Sequence, residues 1–414
     1  MMPESYHINQ HSGKINCTVT PPASKSESNR VLIIDALAGG ISELYNLSNA
    51  RDTQTMIRLL DIVKNSNEKT LDVLDAGTTM RFLTAYTAVT GQERILTGTK
   101  RMQERPIKLL VDALRELGTT INYLGNEGFP PIETKAFDKN NVKTNELKIK
   151  GDVSSQYITA LLMVAPVLPQ GLKLELLGKV GSKPYIQMTL SLMKLFGVSS
   201  TWEGSTITIA HQTYKPTAYK VESDWSAASY WYSMAALAGD AKIELKEYIR
   251  NSFQGDSAIA VIMDKLGVKS TFNEEGVVLE KKESEKSITQ DFTDCPDLAQ
   301  TIAVICAAKG IDCTMTGLES LRIKETDRIA ALQNELRKFG GDLVEVIPNE
   351  QFKVTSNCFM VNQQTVTTYE DHRMAMAFAP LALLGDLAIE HPKVVEKSYP
   401  HYWEDLKIAG FKLN

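Results

Sequence analysis

The sequence predicts an α/β fold of two similar domains, each made of three repeated units that combine one buried helix, one amphipathic helix and short strands. Three observations lead there. Amphipathic runs that end in glycine and enter a β-prone stretch recur at Gly118, Gly197, Gly267, Gly340 and Gly410, spaced 79, 70, 73 and 70 residues apart. A second series of six apolar, small-residue-rich segments interleaves with them. Six such units in 414 residues are too many for one core, so the chain is expected to divide into two domains of three units.

The first series reads LRELGTTINYL, MKLFGVSSTW, MDKLGVKSTF, LRKFGGDLVEV and LKIAGFKLN. Leucine-rich spacing of three and four marks a helix with one apolar face, and glycine suits the left-handed residue that ends it. The second series is SKSESNRVLIIDALAGG (24–40), GTTMRFLTAYTAVTG (77–91), SSQYITALLMVAPVLPQG (154–171), DWSAASYWYSMAALAG (224–239), PDLAQTIAVICAAKG (296–310) and DHRMAMAFAPLALLG (371–385). These are apolar around their circumference, which predicts helices buried on every side. Short strands are expected at KINCTV, ERILTG, LKIKG and KLELLG. The midpoint falls near 219–222, after the Pro-containing HQTYKPTAYK.

Composition narrows the function classes. Hydrophobic residues make up 43% and charged residues 23%, which fits a soluble globular protein and not a disordered one. Lys and Arg number 45 against 50 Asp and Glu, a net charge of −5. A general nucleic-acid binder would be basic overall, whereas local cationic clusters for small anions remain open. No apolar run approaches the ~18 residues needed to cross a bilayer, and MMPESYHINQHSGKINCTV has no signal-peptide pattern. The five cysteines (Cys17, Cys295, Cys306, Cys313, Cys358) are odd in number and never form CxxC, so core thiols in a reducing cytoplasm are expected.

The chemistry concentrates where the buried helices begin. Their first turns carry Ser24-Lys25-Ser26, Gly77-Thr78, Ser154-Ser155-Gln156, Asp224 with Ser226, Pro296-Asp297 and Asp371-His372-Arg373. A helix N-terminus presents unpaired N–H groups and about half a positive charge, which favour anions. Ser, Thr and Asp there also serve as ordinary caps, but capping does not account for the Lys, Arg and Gln beside them. Further cations cluster at Arg101 and Arg105 (KRMQERP), Lys183 (GSKPY), Arg322, Lys324 and Arg328 (LRIKETDR) and Lys397 (VEKSYP). Arg105 and Lys183 each precede a proline, which pushes the chain extended and out of helix. Cations on loops beside helix N-termini suit a phosphate or carboxylate pocket. No phosphate-loop signature, dinucleotide fingerprint, HExxH or GxSxG elbow occurs.

PASKSESNR, DAGTTMR, RMQERP, GDVSSQ, GSKPY, ESDWSAASY, PDLAQT, RIKETDR, DHRMAM and EKSYP occur in the order seen in the 5-enolpyruvylshikimate-3-phosphate synthase family, and the resemblance spans roughly residues 20 to 405. It implies an inside-out α/β barrel architecture of two domains, each of three βαβαββ units. One domain would be 21–221 and the other 1–20 with 222–414, with the active site in the cleft between them. It also implies transfer of the enolpyruvyl group of phosphoenolpyruvate to the 5-hydroxyl of shikimate 3-phosphate, a step in aromatic amino-acid biosynthesis. The chemistry is addition–elimination without metal or organic cofactor, by a cytoplasmic monomer with no nucleic-acid or membrane partner.

Carried onto this chain, the resemblance places shikimate 3-phosphate on Lys25, Ser26, Arg30, Ser154, Ser155, Gln156, Ser182, Tyr185, Asp297 and Lys324. Phosphoenolpyruvate falls on Lys25, Gly77, Arg105, Gln156, Arg328, Arg373 and Lys397. Asp297 is the implied base at the hydroxyl and Glu325 the implied proton shuttle at the methylene carbon, with Lys25 assisting. Gly77 with Arg105 implies susceptibility to glyphosate at the phosphoenolpyruvate position. Three positions depart from the family pattern. Asp75 replaces the usual Asn, putting a negative charge beside an expected anion site, to be either paired to a nearby Arg or detrimental to binding. Ser320 replaces a phosphate-touching Asn, and Ala23 replaces a Gly. Two rivals remain, a related enolpyruvyl transferase acting on UDP-N-acetylglucosamine and a non-catalytic anion-binding protein on the same scaffold. The first would need a loop cysteine near residues 103–108, where none stands.

Overall fold

In the computed structural model, which describes residues 4–151 and 154–414, all six apolar segments are helical and buried. They form Lys25–Leu37, Gly77–Thr90, Ser155–Val164, Trp225–Leu237, Ala299–Lys309 and His372–Phe378. Ser, Thr and Ala let these helices approach one another closely, while Trp225, Tyr230 and Trp231 fill the spaces left. Each is followed in the chain by a helix with one apolar face. These are Arg51–Asn65, Lys108–Glu116, Lys183–Leu195, Ile259–Leu266, Arg328–Lys338 and Tyr402–Ile408.

Four sheets share one plan, in which a parallel pair is extended by an antiparallel hairpin. Thr70–Asp72 lies parallel to Arg94–Thr97, with Ile132–Thr134 and then Ile121–Tyr123 added beyond. The same order recurs in Glu146–Lys150, Leu172–Leu177, Thr206–Ile209, Thr201–Glu203, and in Ser287–Asp291, Asp312–Thr316, Gln351–Ser356, Gly341–Ile347. It recurs again in Lys14–Val19, Asp240–Lys246, Gly276–Lys281, Val268–Phe272. A fifth sheet joins both ends of the chain. Gln364–Val366 runs parallel to Leu387–Glu390, Ser5–Ile8 lies antiparallel to the latter, and Leu413 bridges Ile8. The sixth is the short parallel pair Leu44–Tyr45 with Tyr219–Lys220. The repeat is therefore βαβαββ, whose parallel first pair needs a helical crossover.

Two strands are exchanged between repeats. Lys14–Val19 leads in the chain to Lys25–Leu37, yet pairs with Asp240–Lys246. Tyr219–Lys220 leads to Trp225–Leu237, yet pairs with Leu44–Tyr45. The chain accordingly forms two compact units, one up to Ala23 and from Glu222 to Asn414, the other Ser24–Val221. Ala23 bridges Ser223, and Asp224 N donates to Pro22 O at 2.8 Å. No helix among the described residues is long and apolar enough to cross a membrane.

Two local expectations are corrected. Cys295, Cys306 and Cys313 are buried, but Cys358 is exposed and Cys17 half-buried, so not all five thiols belong to a core. Lys183 is the first residue of a helix and not a loop cation. Pro184 is tolerated in the first turn, where its missing N–H removes no bond, and the irregular residue is instead Ser182, at φ 53°.

Candidate active site

In the Ser24–Val221 unit, four helix N-termini lie together. Lys25 opens its helix behind the cap Ser24, which accepts from Glu27 N, and its ammonium lies 3.3 Å from Asp52. The Asp52 carbonyl accepts from Thr79 Oγ1 at 3.3 Å, in the first turn of Gly77–Thr90. Thr78 Oγ1 in turn accepts from Gln156 Nε2 at 3.2 Å. Gln156 belongs to the first turn of Ser155–Val164, where the cap Ser154 accepts from its N–H. Asp152 and Val153 of the GDVSSQ stretch lie outside the described residues.

Arg105 comes from the loop after Lys100–Gln103 and closes against Gly77. A methyl group on Gly77 would stand 2.7 Å from its Nη1 and 2.8 Å from its Nη2. Glycine is thus required by close approach, not by backbone conformation. Arg30 is buried and donates to Ser26 O and Thr189 Oγ1, both at 2.7 Å, with Tyr185 5.7 Å from its guanidinium. Burial lowers its pKa to about 10 against the raising effects of Tyr185 and Glu27. Ser26, Arg30, Ser182 and Tyr185 are thereby joined, since Tyr185 N donates to Ser182 O at 3.1 Å. Asp75 is paired, with Arg51 Nη2 3.0 Å from both its oxygens.

The other unit gathers the remaining expected residues around one carboxylate. Asp297 stands in the short 3-10 turn Pro296–Leu298 ahead of Ala299–Lys309, and its side chain caps no helix. Instead Arg328 Nη1 donates to one oxygen and Arg373 Nη2 to the other, each at 2.9 Å, with Lys324 Nζ at 3.7 Å. Arg328 also donates to Asp371 at 2.7 Å and to Glu325 at 2.9 Å, so three carboxylates surround one buried guanidinium. Lys397 lies 3.9 Å from Glu325. Burial alone would raise the Asp297 pKa, but Arg373, Lys324 and Arg328 outweigh it and hold the group well below the usual carboxylate range. For Arg328, burial disfavours the charge and Asp371, Glu325 and Asp297 more than restore it.

Four of the ten non-glycine residues with left-handed backbone among the described residues lie beside these groups. Leu74, Ser182, Tyr369 and Glu370 adopt left-handed conformations, at φ 55°, 53°, 53° and 56°. They stand immediately before Asp75, Lys183 and Asp371. Non-glycine residues keep such conformations where the surroundings over-determine them, commonly at functional sites.

Three groups that sequence reasoning did not assign complete the clusters. Asp371 caps His372–Phe378 by accepting from Arg373 N at 2.8 Å while binding Arg328. Arg51 holds Asp75. Asp256, from NSFQGD, is buried and accepts from Ser226 Oγ, which itself accepts from Arg373 Nη2 at 3.3 Å. Only the start of the Ser226 helix was flagged by its Asp-x-Ser pattern; nothing in the spacing of NSFQGD announces Asp256.

Burial first, and then the charge of Asp297, push the Asp256 pKa from 3.8 up to about 7. A raised folded-state pKa contributes stability that is full below the unfolded value and is lost as the pH rises through about 7. Asp256→Asn keeps an acceptor for Ser226 and removes the titration. From pH 5 to 8 the wild type should lose about 2 kcal/mol more stability than this variant. Denaturant melts at the two pH values check this, and equal pH dependence in both proteins contradicts it.

Each unit therefore carries a bank of cations and helix N-termini, and in one of them the cations are interleaved with the carboxylates of Asp297, Glu325, Asp371 and Asp256. Fold and site together define an enzyme of repeated α/β units that handles small, multiply charged anions. A sequence model of EPSP synthase (3-phosphoshikimate 1-carboxyvinyltransferase) matches residues 9–406, and the chain belongs to that family. A Bacteroides fragilis 3-phosphoshikimate 1-carboxyvinyltransferase is 48% identical over 405 residues, covering 96% of both chains. A Neisseria meningitidis protein of the same name is 38% identical over 414 residues, covering 94% of both. Among solved structures, an EPSP synthase from Acinetobacter baumannii superposes over 100% of both chains with a TM-score of 0.79 at 18% identity, a likeness of fold.

Proposed function

We propose that the protein transfers the enolpyruvyl group of phosphoenolpyruvate to the 5-hydroxyl of shikimate 3-phosphate and releases phosphate, in aromatic amino-acid biosynthesis. The observation that carries this reading is Asp297, an ionised carboxylate spanned by two guanidiniums with Glu325 on the same Arg328. Pure anion binding gains nothing from carboxylates among its cations, whereas proton transfer requires them. Lys25, Ser26, Arg30, Ser154, Ser155, Gln156, Ser182, Tyr185, Asp297 and Lys324 serve shikimate 3-phosphate. Lys25, Gly77, Arg105, Gln156, Arg328, Arg373 and Lys397 serve phosphoenolpyruvate. The protein acts as a cytoplasmic monomer.

The order of events follows from charge. The substrate carboxylate and phosphate compete for the guanidiniums that Asp297 and Glu325 hold. As Arg373 and Arg328 turn to the ligand, Asp297 loses the charges that depress its pKa and becomes a competent base. It takes the proton of the 5-hydroxyl as that oxygen bonds to C2 of phosphoenolpyruvate, while Glu325, which takes up a proton from solvent once Arg328 has turned to the ligand, protonates C3. Glu325 then removes a proton from C3, the C2–O bond to phosphate breaks, and the vinyl double bond reforms. Lys25 and the arginines stabilise the charge that develops on the leaving phosphate.

Phosphate release with the purified protein tests the reading. Release is expected only when both substrates are present. Its absence with this pair supports the non-catalytic alternative, and release with UDP-N-acetylglucosamine in place of shikimate 3-phosphate supports the other rival.

Gly77→Ala gives a more local test. The added methyl displaces the Arg105 guanidinium at little structural cost, because it meets the far end of a flexible side chain. The KM for phosphoenolpyruvate should rise by about tenfold, the value of one charge-assisted hydrogen bond, and glyphosate inhibition should weaken. Unchanged KM and inhibition contradict the placement of Arg105.

A further inference from the structure

We infer that Arg51 is a positioning residue that sets affinity for the phosphoenolpyruvate-type anion by masking Asp75, an inference that rests on the function proposed above. Asp75 stands two residues before Gly77, on the turn that leads into the helix against which Arg105 closes. That turn is tightly specified. Leu74 is left-handed, its N–H donates to Asp72 at 2.8 Å, and its carbonyl accepts from Thr99 N at 2.9 Å. Asp75 therefore stands on a fixed turn that leads directly into an N-terminus whose N–H groups and nearby arginine attract anions.

Arg51 answers that charge from a second N-terminus. It is the first residue of Arg51–Asn65, and its Nη2 bridges both Asp75 oxygens at 3.0 Å. The next residue, Asp52, pairs instead with Lys25. One helix start thus carries two adjacent charges of opposite sign, each matched to a different element of the anion-binding face. The Arg51 and Asp75 side chains are 41% and 31% exposed. The pair accordingly contributes little to stability, and its effect falls on the field felt by a ligand.

The test is a set of steady-state measurements on wild type, Arg51→Gln, Arg51→Lys, Asp75→Asn and the Arg51→Gln/Asp75→Asn double variant. Arg51→Gln removes the guanidinium charge that spans the carboxylate, so the KM for phosphoenolpyruvate should rise by about tenfold at low salt, and by less near 0.5 M salt, where the Debye length is roughly 4 Å. The KM for shikimate 3-phosphate and kcat should stay within about twofold, a split that a general structural defect would not produce. Arg51→Lys keeps the charge and should stay near wild type. The double variant should recover most of the lost affinity, since no charge is left to mask. An unchanged KM in Arg51→Gln overturns the inference. So does a double variant as weak as the single one, which would mean that Arg51 touches the anion directly. A wild type that releases no phosphate removes the proposed function itself, an outcome distinct from either of these.

Discussion

Asp297→Asn is expected to lower kcat by about a thousandfold, within the usual range for losing a general base, while the protein stays folded. Asparagine retains an oxygen to accept from one of the two guanidiniums that grip Asp297 at 2.9 Å, but it cannot take the proton of the attacking hydroxyl. KM values should change far less than kcat, because the hydroxyl is bound with or without the base. Asp297→Ala should be equally inactive and also less stable, since it leaves Arg328 and Arg373 facing an unfilled space. Rapid-quench measurement of phosphate release separates these effects. A kcat for the Asn variant within tenfold of wild type would remove Asp297 from the chemistry.

The largest stability effect is expected at Arg328. Its side chain is 2% exposed and its partner Asp371 0%, and it also serves Asp297 and Glu325. Arg328→Met fits the space but takes the guanidinium away from three carboxylates, and the fully buried Asp371 loses its arginine partner. Breaking one side of such a pair costs about 3–5 kcal/mol. For a cooperative unit of this size that amounts to a melting temperature roughly 10 °C lower. Arg328→Lys should recover only part, because one ammonium cannot point at three carboxylates as a guanidinium does. Calorimetry decides, and a shift under 2 °C for the Met variant would show that the three carboxylates do not depend on Arg328.

The helices were legible because their signal is local. Gly267 and Gly310, at φ 101° and 63°, end their helices as their positions in the two series predicted. All six apolar segments are the buried helices expected of them. The site was legible wherever a cap and a cation stood side by side in the chain, as at Ser24-Lys25 and Asp371-His372-Arg373. What escaped was set by partners far away in sequence. Asp256 matters because Ser226, thirty residues earlier, donates to it while accepting from Arg373. Arg51 matters because Asp75, 24 residues on, points back at it. The strand exchange was equally hidden, since Lys14–Val19 pairs with Asp240–Lys246 more than 200 residues away and no periodicity carries a partner's address. Asp297 was expected to draw its charge stabilisation from a helix end. It draws it from Arg328 and Arg373, because a 3-10 turn intervenes between it and the helix.

The central claim is that these cations and carboxylates are the groups that hold shikimate 3-phosphate and the phosphoenolpyruvate-type anion. A crystal structure of the protein with shikimate 3-phosphate and glyphosate tests it most directly. The account predicts Lys25, Gln156, Arg105, Asp297, Arg373 and Lys397 within hydrogen-bonding distance of the two ligands. Ligands bound away from these side chains, with Asp297 still clamped by Arg328 and Arg373, would contradict it.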